Sequence, residues 1–168
     1  MTEDTADRSR IGRVLELGST ALALAGGLVL TGLMLMSITS IAGRWLFSRP
    51  LPGDFELVEI GTGVAIFLFL PACQLRGANV IVDFFTTGMS RRGQSWLDAF
   101  GALLYTLAAA LFAWRLVFGS LDYLSYGEKT MVLGLPLWWS FVLILPASVW
   151  LALVTAYTLA RHVKAARA

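Results

Sequence analysis

The sequence predicts an all-α membrane protein with four transmembrane helices. Hydrophobic residues make up 57% of its 168 residues and charged residues 14%, whereas a soluble domain is about 25% charged. The mean hydropathy is +0.73. The apolar residues fall into four runs, each long enough to cross about 30 Å of hydrocarbon. We therefore expect one membrane domain, residues 1–168, embedded in a lipid bilayer.

Breaker residues place the limits of the four predicted spans. The first span covers about 17–46, and "FSRPLPGD" ends it because two prolines and a glycine do not continue a helix. The other spans cover about 55–75, 95–123 and 135–160. Pro136 suits a first helical turn, while Pro71 and Pro146 lie inside spans and are expected to kink them. The first run is too long for the apolar part of a secretory signal, so we expect it to remain a span.

The Lys and Arg residues predict the orientation of the spans. Nine of the 13 lie on the side that holds both termini and the link between spans two and three. They are Arg8, Arg10, Arg13, Arg76, Arg91, Arg92, Arg161, Lys164 and Arg167. The other four are Arg44, Arg49, Arg115 and Lys129. Because the cytoplasmic side is enriched in Lys and Arg, both termini are predicted to be cytoplasmic.

The cytoplasmic link "ANVIVDFFTTGMSRR" has the pattern of a short amphipathic helix over about 78–90. Its apolar residues follow an i, i+1, i+4, i+5 stripe, at Val80, Ile81, Phe84, Phe85 and Met89. Asn79 and Asp83 are four residues apart on another face. Such a helix could lie in the membrane interface. The alternative is a short β-like or irregular connector.

Four charged residues occupy energetically expensive positions near the predicted outer interface: Arg44, Glu56, Glu59 and Arg115. A charge in a span must reach water or find a partner. One interpretation is a proton or ion site. The interpretation we favour is interfacial ion pairing or snorkelling, with Glu59 paired to Arg115 or Glu56 to Arg44.

Several function classes are disfavoured by residue counts. Cys73 is the single cysteine and His162 the single histidine, so the chain cannot supply a dithiol pair or two axial histidines to a haem. No phosphate-binding loop, nucleophile elbow or basic patch with interleaved aromatics is present, so we expect no nucleic-acid partner. We predict a protein that is not an enzyme and that carries no cofactor or metal site. Such a chain is most often a subunit of a larger complex.

Three segments resemble one family of membrane subunits. They are "ITSIAGRWLFSRPLPGDFELVEI", "FLPACQLRGANVIVDFF" and "LGLPLWWSFVLILPASVW", and the resemblance covers about 37–153. Its motifs are an Arg-aromatic-x-Phe ending the first span, an acidic start to the second, a small-residue turn before Val-Asp, and a Leu-Pro pair. Here these motifs are Arg44, Trp45, Phe47, Glu56, Gly77, Val82, Asp83, Leu135 and Pro136. The chain resembles the DctQ family, the small membrane subunit of tripartite ATP-independent periplasmic (TRAP) transporters. Many members have His where this chain has Asn79, and a second acid where it has Phe55.

The resemblance implies a scaffold subunit of a sodium-coupled importer of organic acids in the bacterial inner membrane. Its partners would be a large TRAP membrane subunit, which carries substrate and sodium, and a periplasmic substrate-binding protein. The small subunit would brace the large one and help dock the binding protein. A stand-alone small membrane transporter, or the membrane anchor of another complex, is the alternative. A small multidrug antiporter would need a mid-membrane acid in its first span, and Leu22–Ile41 contains none.

Overall fold

Four long helices form the chain in a computed structural model. The structure describes residues 10–77 and 91–167, with side chains described for 10–77 and 96–164. The helices are α1 (Arg10–Phe47), α2 (Asp54–Leu75), α3 (Arg91–Tyr126) and α4 (Trp138–Arg167). Each is long and apolar enough to cross a membrane, so the predicted all-α, four-span fold is confirmed. The amphipathic helix predicted for 78–90 lies outside the described residues.

The helix limits differ from the predicted spans in both directions. α1 begins at Arg10, before the predicted start near residue 17, because a polar helical turn continues past the part that hydropathy marks. α4 begins at Trp138, three residues after the predicted start at Leu135. The amides of Leu135 and Leu137 bond instead to the Thr130 hydroxyl at 3.0 Å and the Glu128 carbonyl at 3.1 Å. Both α2 and α4 run through an internal proline, Pro71 and Pro146.

The helices pack in the order α1, α2, α4, α3. α1 packs along α2, α2 along α4, and α4 along α3, while α1 touches α4 at few positions. Among the described residues, α3 has no Cα atom within 8 Å of α1 or α2. Within the most apolar 18-residue stretch of each helix, 39% of the residues are buried in α4, against 6% in α1 and 11% in α3. α2 and α4 therefore form the centre, and α1 and α3 are edge helices with long exposed apolar faces.

Small residues lie where α4 and α1 pack against the two sides of α2. The core cluster is Val64 and Leu68 of α2 with Ile144 and Ala147 of α4, each no more than 9% exposed. On the other side of α2, Gly26 of α1 lies close enough that an added Cβ would stand 3.2 Å from the Leu68 side chain. Close approach through glycine and alanine is how membrane helices gain packing energy without a hydrophobic driving force.

Candidate functional site: the double-loop end

Two loops meet at one end of the four-helix layer. Residues 48–53 join α1 to α2, and residues 127–137 join α3 to α4. Because both hairpins are antiparallel and pack side by side, both loops lie at the same end. We call this region, residues 40–56 and 127–137, the double-loop end. The start of α1, the end of α2, the start of α3 and the end of α4 lie at the opposite end.

Glu56 joins the two hairpins. Its carboxylate projects from the first turns of α2 and accepts the backbone N–H of Val132 at 2.7 Å and that of Leu133 at 3.0 Å. Each carboxylate oxygen takes one amide. Hydrogen bonds to an ionised acceptor are about twice as strong as neutral ones. The carboxylate therefore fixes the position of the 127–137 loop relative to α2, two elements that are 76 residues apart.

Gly53 provides the space that this arrangement needs. It precedes α2 with φ +76°, a left-handed conformation that favours glycine. A Cβ added to it would overlap the Leu133 side chain from the other loop. The Leu133 side chain thus covers the turn of residues 51–53, and the two loops interlock where Glu56 also binds.

Asp54 organises the α1–α2 hairpin. Its Oδ2 accepts a 2.6 Å hydrogen bond from the hydroxyl of Ser40, a side chain only 1% exposed. The Ser40 hydroxyl in turn accepts the Leu51 N–H at 3.3 Å. Arg44 lies outside this pair, with its Nη2 4.0 Å from Asp54 Oδ2 and its side chain 58% exposed. The result is a chain of contacts from solvent-facing Arg44 to buried Ser40.

This arrangement corrects the expected pairing of Arg44 with Glu56. Arg44 faces Asp54, and Glu56 binds the other loop. Asp54 and Glu56 are two residues apart on a helix, so their side chains point in directions about 160° apart. Sequence reasoning missed both Asp54 and Ser40. Asp54 could have been found from its place directly after Pro-Gly. A helix starts at this position, and a carboxylate complements the positive end of a helix.

The 127–137 loop is shaped by bonds of its own. Thr130 accepts the Leu135 N–H on its hydroxyl and the Gly134 N–H on its carbonyl, and donates its own N–H to the Leu135 carbonyl at 2.9 Å. Gly134 has φ +66°. Met131 and Val132 form the tip, with exposed fractions of 100% and 62%. The loop therefore presents apolar side chains from a backbone that is held in place.

Glu59 and Arg115 do not form the predicted ion pair. Glu59 lies on α2 and Arg115 on α3, and α4 stands between these helices. Both side chains are exposed on outer faces. Within the described part of the chain, Arg44–Asp54 is the ion pair seen.

Of the remaining predicted site residues, Gly77 is described and lies at the other end. Gly77 follows α2 with φ +62° and donates its N–H to the Gln74 carbonyl at 3.3 Å, so it ends the helix as the predicted small-residue turn would. Asn79 and Asp83 lie outside the described residues.

An apolar groove of about 260 Å³ lies beneath the 127–137 loop. Its walls come from α1, α2, the loop and the start of α4, and include Val29, Leu33, Ile60, Val64, Pro136 and Leu143. Ser140, the hydroxyl residue of the lining, donates to the Leu137 carbonyl at 2.7 Å. The groove therefore suits hydrocarbon, whether lipid or side chain, better than an organic acid.

Taken together, the carboxylates of the double-loop end act as acceptors that shape backbone. Glu56 and Asp54 each use their oxygens on N–H or O–H donors of this chain. Within residues 10–77 and 91–167, no group of three or more His, Cys, Asp or Glu side chains could hold a metal ion. The arrangement can hold a surface rigid for another protein.

One family model matches the chain, that of the DctQ component of the tripartite ATP-independent periplasmic transporters, over residues 33–165. No curated protein and no solved structure matches the chain. The matched region contains residues 33–47 of α1, all of α2 and α3, and α4 up to two residues from its end. The family model thus covers the turn between α1 and α2, nearly all of the α3–α4 hairpin and the whole double-loop end, and the chain belongs to the DctQ family of TRAP transporter components.

Proposed function

We propose that this chain is the scaffold subunit of a sodium-coupled TRAP transporter that imports an organic acid across the bacterial inner membrane. It braces the large transport subunit and offers the double-loop end to the periplasmic substrate-binding protein. Membership of the DctQ family supports its place in such a transporter. Sodium coupling and organic-acid cargo come from the resemblance to this family, and we assign neither of them to residues of this chain.

The observation that supports docking most directly is that the exposed tip of the 127–137 loop has its backbone fixed by hydrogen bonds. Met131 is fully exposed, while the amides of the next two residues are bound by Glu56. A protein surface that is apolar, exposed and already ordered loses little conformational entropy when a partner covers it. Exposed aromatic residues at the same end, Phe47 at 74% and Tyr126 at 77%, enlarge the apolar surface.

Docking to a periplasmic protein requires the double-loop end to face the periplasm. The distribution of Lys and Arg supports this orientation, with both termini in the cytoplasm. Single cysteines at Ser90 and Gly127, in a Cys73→Ala background, test it with an impermeant thiol reagent on spheroplasts. We expect labelling at position 127 and protection at 90. The reverse pattern would invert the topology and remove the docking surface from the periplasm.

Docking itself is tested by binding of the periplasmic protein to the reconstituted two-subunit complex. Met131→Glu adds a charge at the apolar tip, and we expect affinity to fall about tenfold, the effect of losing one good interface contact. Ile11→Glu is the matched control, because Ile11 is also exposed, at 64%, but lies at the opposite end. Equal affinity for Met131→Glu and wild type would contradict docking at this tip.

A further inference from the structure

Arg115 is a charge on the outer face of an edge helix. Its side chain is exposed on α3 and has no hydrogen-bond or ion-pair partner among the described residues. It is the one charged residue between Asp98 and Asp122. These two acids delimit a stretch of about 36 Å at 1.5 Å per residue, close to the hydrocarbon thickness. Arg115 lies seven residues before Asp122, so its Cα is about 10 Å inside the nearer limit.

The direction of α3 keeps the Arg115 side chain away from the nearer surface. In a helix every Cα–Cβ bond tilts toward the N-terminus. α3 runs toward the double-loop end, so the stem of Arg115 starts toward the membrane interior. Phe118, one turn nearer the surface than Arg115, stacks edge-on with Trp114 at 5.7 Å between ring centroids, so a bulky ring lies on the surface side of Arg115.

Glu59 provides the opposite case on α2. It lies five residues after Asp54, about 7 Å below the start of the helix. α2 runs away from the double-loop end, so the same backbone tilt aims Glu59 back toward water. Glu59 can therefore remain hydrated by itself, whereas an uncovered Arg115 would stand in hydrocarbon, where a charge is costly.

We propose that the α3 face formed by Leu111, Phe112, Arg115 and Phe118 binds a transmembrane helix of the large TRAP subunit, and that this helix supplies a carboxylate to Arg115. This inference rests on the proposed function, since the partner is the large subunit of the same transporter. A guanidinium binds a carboxylate through two parallel hydrogen bonds, and shielding from water makes that pair specific. The exposed apolar residues around Arg115, at 47–63% exposure, would pack against the partner helix.

The other edge helix has no comparable residue. Between Glu16 and Arg44, α1 carries no Asp, Glu, Lys or Arg, although Leu24 and Leu28 are exposed at 68% and 74%. Lipid alone can cover such a face. The exposed face of α1 can therefore lie against lipid, whereas the exposed face of α3 carries Arg115 and needs a partner with a negative charge. For this reason we place the protein partner on α3.

Removal of the charge tests the pairing in the complex of small and large subunits. Arg115→Leu should lower the amount of large subunit that co-purifies in mild detergent by about tenfold or more, the effect of breaking a desolvated charge pair. Arg115→Lys keeps the charge but cannot form the two parallel hydrogen bonds, so it should retain more of the complex than Arg115→Leu and less than wild type. Glu59→Gln, the matched loss of an exposed charge on α2, should leave the yield unchanged.

The isolated chain separates assembly from folding. Arg115→Leu alone should be as stable as wild type in detergent, because leucine suits a lipid-facing position. A photocrosslinking residue at Leu111 or Phe118 should then label the large subunit in native membranes. Reversal of one acidic residue in the spans of the large subunit to Arg should restore assembly with Arg115→Asp.

The results that overturn the inference differ from those that overturn the proposed function. If wild type forms the complex and Arg115→Leu forms it equally well, Arg115 only snorkels to lipid headgroups, and the inference fails alone. Crosslinks from α3 only to lipid, or to a second copy of this chain, have the same consequence. If wild type does not co-purify with the large subunit at all, the proposed function fails.

Discussion

The two ends of this molecule are held together by different chemistry. At the double-loop end, the carboxylates of Asp54 and Glu56 accept hydrogen bonds from Ser40 and from the amides of Val132 and Leu133. Toward the opposite end, neutral side chains bridge the helices. The Trp150 indole donates to Ser19 at 3.1 Å, and the Gln74 amide donates to Thr158 at 3.1 Å.

The difference follows from what each region leaves unsatisfied. Loop residues have backbone N–H groups without helical partners, and near a membrane these need acceptors. A carboxylate can take two of them at once and still reach the water interface. The backbone N–H and C=O groups of a helix bond to each other. Contacts between helices deeper in the membrane therefore need only small residues and single hydrogen bonds from or to hydroxyl groups. The charged end can therefore hold irregular backbone as a fixed surface, which a docking scaffold requires.

The strongest way to break the double-loop end is Gly53→Ala. Alanine is strained at φ +76°, and its Cβ would force Leu133 out of position. We expect a loss of about 2–4 kcal/mol in the free energy of unfolding, from left-handed strain and overpacking together. The measurement is thermal unfolding of the purified chain in mild detergent.

Two other glycines separate these contributions. Gly127 has φ +63°, and no atom of the described residues stands within 4 Å of an added Cβ, so Gly127→Ala should lose only about 1 kcal/mol from strain. Gly27 lies inside α1 with equally open space and no positive φ, so Gly27→Ala should be neutral or slightly stabilising. Equal losses for Gly53→Ala and Gly127→Ala would show that the close approach of Leu133 to Gly53 contributes nothing.

Removal of the Glu56 carboxylate should be the next largest effect. Glu56→Ala frees two amides and should lower the free energy of unfolding, while Glu56→Gln keeps one acceptor oxygen and should lower it less. Hydrogen exchange at Val132 and Leu133 should accelerate in the same order. Glu59→Gln is the control, since Glu59 is exposed and bonds neither amide. Unchanged exchange in Glu56→Ala would mean that the loop holds its shape without the carboxylate.

The smallest effect is expected in the neutral region. Ser19→Ala removes the acceptor of the Trp150 indole and should cost about 1 kcal/mol. Thr31→Ala removes a hydroxyl that donates within its own helix, to the Gly27 carbonyl at 2.8 Å, and should change stability little. If Ser19→Ala were more harmful than Glu56→Ala, the contrast between the two ends would be reversed.

The sequence predicted the fold from its apolar runs, because a helix that crosses lipid must be apolar over about 20 residues. The level of Arg44 along its span was also readable, since it lies 4.0 Å from an acid in the first turn of α2, although that acid is Asp54 and not the predicted Glu56. Which side chains pair was not readable, because the depth of a residue in the membrane does not say toward which neighbouring helix its side chain points. Arg44 therefore pairs with Asp54, and Glu59 and Arg115 are separated by α4. Contacts such as that of Trp150 with Ser19 depend on which helices pack side by side, and no short sequence pattern predicts this.

Solute uptake into proteoliposomes tests the scaffold function most directly. The vesicles contain this chain alone, the large subunit alone, or both, each with binding protein, a sodium gradient and the organic acid that the binding protein carries. We predict sodium-dependent uptake only by the pair, because the role proposed for this chain is to brace the large subunit and dock the binding protein. Uptake by vesicles that contain this chain without the large subunit would contradict the account.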